Sequence, residues 1–180
     1  MPESVCESFE CEGGIVVGVD GSESSIHALH LAADEARCRQ AVLHVLCAWS
    51  VRAVPRPVDC PPGQVPSMLE YEQEVQRRIT ARVTRELGDQ LPFKVEIHAV
   101  HAPPNQALVH ASRFADLLVV GHRGRGTIRE LMLGSVAEQC VRSAQCPVLV
   151  ARPRDAGQTL DAGQTNAPEA AGQMRQPDSA

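Results

Sequence analysis

A chain of 180 residues, 43% of them hydrophobic, is long enough for one domain with a substantial core and too short for two such domains plus tails. Its net charge of -5 sits at the ends: Glu3, Glu7, Glu10 and Glu12 make the first twelve residues -4, and two arginines against four acids make residues 154–180 -2. The near-neutral remainder lacks the basic stripe of a nucleic-acid binder. With no basic-then-apolar leader and no apolar run near the ~20 residues that span a bilayer, the expectation is a soluble, cytoplasmic protein with neither nucleic acid nor membrane as partner.

Seven cysteines form no C-x-x-C pair, and an odd number in a reducing compartment points to free thiols. Cys38, Cys47, Cys140 and Cys146 are expected as small core or near-core side chains.

After a flexible acidic lead over residues 1–12, "GGIVVGVD" is short, apolar and β-branched, as a strand buried on both faces requires. Ser22 then caps a helix whose Ile26, Leu29, Ala33 and Ala36 share one face. "AVLHVLCAWSV" returns to strand, and five prolines between Arg52 and Ser67 make a loop. Met68, Tyr71, Val75, Ile79, Val83 and Leu87 form the stripe of a second helix, stopped by Gly88 and Pro92. "FKVEIHAV" alternates apolar and polar residues like a strand near a sheet edge. Pro103 and Pro104 open a shorter helix through "NQALVHASRFA". "DLLVVG" is a fourth strand, Ser135 to Ala144 a last helix, and "PVLVAR" a fifth strand. This alternation predicts a doubly wound α/β sandwich over residues 13–153, a single five-stranded parallel sheet with helices on both faces. Residues 154–180, with "DAGQT" twice and almost no large apolar side chain, are expected to be a disordered low-complexity tail.

Directly behind the fourth strand, "GHRGRGTIRELMLGSV" packs four glycines and three arginines into Gly121 to Val136. In a doubly wound sheet, ligands sit beyond the carboxyl ends of the strands, where strand order reverses. Glycines there permit positive φ and let backbone N–H groups face an anion, and the helix starting near Ser135 adds its dipole. The guest this suits is phosphate. Neither familiar phosphate loop fits by spacing. Thr127 follows Gly121 and Gly126 where a Walker lysine should stand, and Arg129 takes the last glycine position of a dinucleotide fingerprint.

What does fit is G-x-x-G, nine residues, then G-S: Gly121, Gly124, Gly134 and Ser135. This pattern resembles the ATP-binding motif of the universal stress protein family. "IVVGVDGSESSIHALHLA" is similar to that family's opening strand, aspartate and serine-led helix, and "ADLLVVGHRGRG" with "LGSVAEQCVRSAQCPVLVAR" is similar to its closing third. The resemblance spans about residues 13 to 153 and implies a Rossmann-like, adenine nucleotide alpha hydrolase-like fold. It implies a nucleotide site in which Gly18 and Asp20 end the first strand, Asp20 on the adenine or ribose side, while Val45 meets the base by its backbone. The loop of Gly121, His122, Arg123, Gly124, Arg125, Gly126 and Thr127 would wrap the ribose and phosphates, and Ser135 with Val136 would bind phosphate. The implied ligand is ATP, with or without Mg2+, and the implied assembly is a homodimer joined through the strand at 147–152. That strand's Val148, Leu149 and Val150 would otherwise leave an apolar, unpaired edge.

Other constellations carry less. His27 and His30 lie three apart on a helix without a third ligand, and the spacing of His98 and His101 puts them on opposite strand faces. No metal site is expected. "LGSVA" is not a nucleophile elbow, and no Walker lysine or metal-holding pair suggests fast phosphoryl transfer. The leading expectation is therefore a nucleotide-binding regulatory protein of the universal stress type. A weak ATPase or autokinase comes second, and a dimeric adaptor that takes no nucleotide comes third.

Overall fold

The computed structural model describes residues 5–124 and 133–152. The expectations placed on Arg125, Gly126, Thr127 and the 154–180 tail lie outside these described residues.

The elements follow the predicted alternation: β1 (Ile15–Gly18), α1 (Glu23–Arg39), β2 (Leu43–Ala48), α2 (Met68–Leu87), β3 (Val95–Val100), α3 (Pro104–Ala111), β4 (Leu117–Gly121), α4 (Ser135–Ser143) and β5 (Val148–Ala151). The five strands form one sheet, all parallel, in the order β3-β2-β1-β4-β5. From β1 the chain builds outward through β2 to β3, then crosses back to add β4 and β5 on the other side. Strand order thus reverses between β1 and β4, where such a sheet opens a crevice.

Successive strand residues point to opposite faces. Ile15 and Val17 of β1, Leu43 and Val45 of β2 and Leu117 and Val119 of β4 meet the apolar stripes of α1 and α2. Val16, Leu46, Leu118 and Val120 meet α3 and α4 on the other face. Each such aliphatic side chain, fully buried, contributes about 1.5–3 kcal/mol relative to exposure. The central strands are apolar on both faces for this reason. On α1 the buried face includes Ala28, Ala32 and Ala36 beside Ile26 and Leu29, and these small residues let the helix lie close to the sheet.

Local chemistry sets the boundaries. Ser67 and Glu70 form a reciprocal capping box that starts α2, and Gly88, at φ 80°, ends it. α3 stops at Ala111, four residues before the expected Ala115, and the Ser112 hydroxyl bonds back to the Val109 carbonyl at 2.7 Å. β3 begins at Val95, two residues after Phe93, and it is an edge strand as its alternation suggested. The proline-rich loop has neither helix nor strand, and Arg56 gathers it by donating to the carbonyls of Pro61 and Gln64, both at 2.6 Å.

Two expectations are corrected. The acidic lead is anchored to the sheet at isolated points: the Cys6 carbonyl accepts from the backbone N–H of His101 at 2.8 Å, and Phe9 is buried while the glutamates around it are exposed. The run of glutamates hid this single aromatic anchor. Of the four cysteines expected in or near the core, Cys47 and Cys140 are buried and Cys146 is half-buried, but Cys38, in the last turn of α1, is exposed. Burial pushes the Cys140 thiol up to about 11, which makes it an inert core group.

Candidate functional site

A cavity of about 430 Å³ opens at the carboxyl ends of β1 and β4. Gly18, Val19 and Asp20 leave β1 along one wall, and Val120 and Gly121 leave β4 along the next. The start of α4 (Gly134, Ser135, Val136, Ala137) and the loop residues Arg123 and Gly124 close the polar side. Leu46, Ala48, Pro104 and Leu108 supply an apolar side. One side thus suits a flat apolar group and the other an anion.

The polar side is built around an open helix end. The first N–H groups of any helix lack intrahelical partners. At α4 the N-cap is Gly134, in an extended conformation at φ -66° and ψ 151°, with no side chain to cap them. Gly134 itself is held in place, since its N–H donates to the His122 carbonyl at 2.8 Å. Beside it, the Nε of Arg123 is buried and has no hydrogen-bond partner among the described residues. A buried, unpaired donor on a cation is costly.

The motif glycines serve close approach, not the positive φ anticipated from the sequence. Among the described glycines positive φ falls at Gly13, Gly14, Gly21, Gly63 and Gly88, and not at Gly121, Gly124 or Gly134. A Cβ on Gly121 would stand 2.7 Å from the Ser24 carbonyl carbon, so this glycine lets the start of α1 press onto the end of β4. A Cβ on Gly124 would stand 3.1 Å from Asp20 Oδ2, and one on Gly134 would stand 3.2 Å from the Arg123 Cα. The three glycines therefore draw α1, Asp20 and the Arg123 backbone into one tight shell.

Asp20 serves two structures at once. Its Oδ1 accepts from the Ser22 N–H at 2.9 Å and from the Ser22 hydroxyl at 2.6 Å, which braces the start of α1, while the residue also lines the cavity. Ser24 Oγ lies 2.8 Å from His122 Nδ1 and accepts from the Arg123 N–H at 3.3 Å. Burial first, then the charges of Arg123 and Arg152, holds His122 below its ordinary value and so neutral. Ser24 is itself buried, beneath Gly121 and behind the cavity wall, so this hydroxyl–imidazole pair ties the loop to α1 and presents no nucleophile to the cavity.

Of the residues singled out in the sequence, Gly18, Asp20, Gly121, Arg123, Gly124, Gly134, Ser135 and Val136 are brought together around the cavity. His122 stands behind the wall, on Ser24. Val45 is wholly buried on the α1/α2 face, and β2 contributes Leu46 and Ala48 to the wall in its place. Sequence reasoning also missed Ser25, Pro104 and Leu108, whose part depends on how α1 and α3 lie across the strand ends.

Comparison with known proteins adds the following. The Universal stress protein family matches residues 14–152. A universal stress protein of Mycobacterium tuberculosis is 37% identical over 159 residues, which cover 86% of this chain and 49% of that protein. A relative in Mycolicibacterium smegmatis is 33% identical, over 78% of this chain and 46% of its own length. The chain thus spans about half the length of the curated relatives it matches. Among solved structures, a universal stress protein in complex with cAMP is 29% identical with a TM-score of 0.53, covering 78% of this chain and 96% of that one. A universal stress protein from Archaeoglobus fulgidus is 24% identical with a TM-score of 0.55, covering 79% and 100%, and shares the fold.

Proposed function

The chain belongs to the universal stress protein family, and from that premise we propose that it is a regulatory protein that binds an adenine nucleotide, ATP foremost, in the cavity between β1 and β4. The observation that carries this reading is the uncapped start of α4, whose N–H groups open on the cavity lined also by Arg123. Backbone N–H groups at a helix start and a guanidinium are the donors that phosphate oxygens take up. The apolar wall of Leu46, Ala48 and Leu108 offers a surface for a base, and Asp20 offers a carboxylate to a ribose hydroxyl or a base amine. The solved relative in complex with cAMP supports a nucleotide of this class. When Mg2+ accompanies the nucleotide, Asp20 is the carboxylate of the described cavity wall that would face it. Ser24 and His122 lie behind that wall, so the reading is a binding protein and not a fast phosphotransferase.

In the same reading, two copies pair along β5. Its residues Val148, Leu149 and Val150 are half-buried, β5 is the edge strand among the described residues, and a second β5 would cover them and pair with its outer backbone groups.

The test is calorimetric titration of the full chain, stripped of copurified ligand, with ATP, AMP and cAMP, alongside mass spectrometry of whatever leaves the untreated protein on denaturation. Binding of one adenine nucleotide per chain, at least about tenfold weaker in Gly124→Val, is expected. No binding at millimolar nucleotide, or equal binding by a folded Gly124→Val, would put the adaptor reading first.

A further inference from the structure

We propose that His44, Glu96 and His98 form a binding site for a divalent transition-metal ion of the Zn2+ class, on the sheet face away from α1 and α2. Register creates the site. His44 of β2 pairs directly with Glu96 of β3, and His98, two positions on, points to the same side. His44 Nδ1 lies 3.3 Å from His98 Nε2 and 3.3 Å from Glu96 Oε2, and His98 Nε2 lies 3.8 Å from that same oxygen. A point equidistant from the three donors is about 2.0 Å from each, the length of Zn–N and Zn–O bonds. Two imidazoles and one carboxylate are a donor set that zinc accepts, and they leave a fourth position for water.

The surroundings orient these donors as the outer partners of a metal site do. His44 is hydrogen-bonded to the Gly13 backbone, and its Nε2 edge is the one against this turn, since a Cβ on Gly14 would stand 3.2 Å from Nε2. Nδ1 is thereby turned, with its lone pair, toward His98 and Glu96. Lys94 holds the other carboxylate oxygen, Oε1, leaving Oε2 to face the two rings. Phe9 stacks on the His98 ring with centroids 3.8 Å apart and covers the cluster from the acidic lead. Three lone-pair donors thus converge under an aromatic lid, and a cation is the partner they share. The nearby Lys94 ammonium opposes the charge of an ion, but its contact is with Oε1, and Oε2 remains the one anionic ligand facing the two imidazoles. Leu46 stands between His44 and the nucleotide cavity on the same strand face, so this site and that cavity are separate.

The test uses the full chain freed of metal with a chelator and of nucleotide, titrated with Zn2+. One ion per chain is expected. The same preparation loaded with Co2+ should lack a thiolate-to-metal charge-transfer band, which separates this site from the seven cysteines. Glu96→Gln and His98→Ala should each lose more affinity than the about 10–100-fold that an outer-shell change costs, while His101→Ala, just past the end of β3 and outside the cluster, should bind as wild type does. Should His98→Ala fail to fold, Glu96→Gln and the nitrogen shifts of the His44 and His98 rings in wild-type protein on Zn2+ addition decide. A chain that takes up no stoichiometric Zn2+, a Co2+ form with thiolate bands, unmoved His44 and His98 resonances, or a folded Glu96→Gln that binds as tightly as wild type would overturn the proposal.

Discussion

Two helices start on the same crevice, and they start in opposite ways. α1 leaves β1 through Ser22, whose hydroxyl accepts from the Ser25 N–H at 3.3 Å and donates to Asp20, so the end is closed by the chain's own oxygens. α4 follows β4 and starts at Gly134, which has no oxygen to offer. Both ends carry the same backbone dipole and the same unsatisfied donors. The difference is one side chain. A serine turns a helix end into a joint, and a glycine leaves it as a receptor, with Arg123 beside it and no acid on the α4 cap.

That contrast can be broken most directly by giving α4 the kind of cap that α1 has. Gly134→Asp places a carboxylate over the open N–H groups at a backbone conformation that any residue adopts. Losing two hydrogen bonds to a charged phosphate costs about 3–6 kcal/mol, so calorimetry should show ATP affinity reduced about a hundredfold to ten-thousandfold in a protein that stays folded, the new cap offsetting the 3.2 Å approach of the added Cβ to the Arg123 Cα. Retained affinity would mean that α4's start is not used.

The next largest effect tests the charge beside it. Arg123→Met removes the guanidinium that lines the cavity, and a hydrogen bond to a charged group is worth about 1.5–3 kcal/mol. ATP affinity should fall about tenfold to a hundredfold, while chemical denaturation shows a protein no less stable, because a buried donor without a partner among the described residues has been removed. A destabilised protein with full affinity would assign Arg123 to the fold alone.

Asp20 stands between the two helix ends. Asp20→Ala removes a cavity carboxylate and the acceptor of the Ser22 N–H and hydroxyl, so both binding and stability should move, by about 1–3 kcal/mol in total. The smallest binding effect belongs to the closed end. Ser22→Ala should cost about 1 kcal/mol of stability through the lost cap, read as a lower denaturation midpoint, and shift ATP affinity by no more than about threefold. A larger change in affinity would mean that the α1 start, too, touches the ligand.

The sheet and its crevice were legible because local pattern determines them. β1 and β4 are apolar on both faces, and such runs occur where helices cover both sides. Ser22 and the paired prolines at 103 and 104 marked helix starts by residue type alone. Gly134 and Ser135 were found by spacing. What escaped depended on register between distant strands. Val45 was named for its backbone, and that Leu46 and Ala48 bring their side chains to the cavity depends on how the β2 face lies against α3, which no residue near them encodes. His98 was weighed against His101, its neighbour in sequence, yet its partner is His44, 54 residues away on the adjoining strand. Phe9 escaped because the charge around it suggested solvent. Arg123 was visible as a residue, but the burial of its Nε is a property of the packed loop.

The two borders of the sheet differ in a way that bears on stoichiometry. At β3, Gln76 donates to the Ile97 carbonyl at 2.8 Å, the acidic lead takes up the His101 N–H, and Lys94 and Glu96 put charges along the strand. β5 ends the other side with Val148, Leu149, Val150 and Ala151. A sheet that could be extended at both borders would be able to grow without limit into a ribbon or filament. With one border guarded, the two-fold pairing proposed for β5 would occupy the remaining border in both chains, and growth would terminate at two.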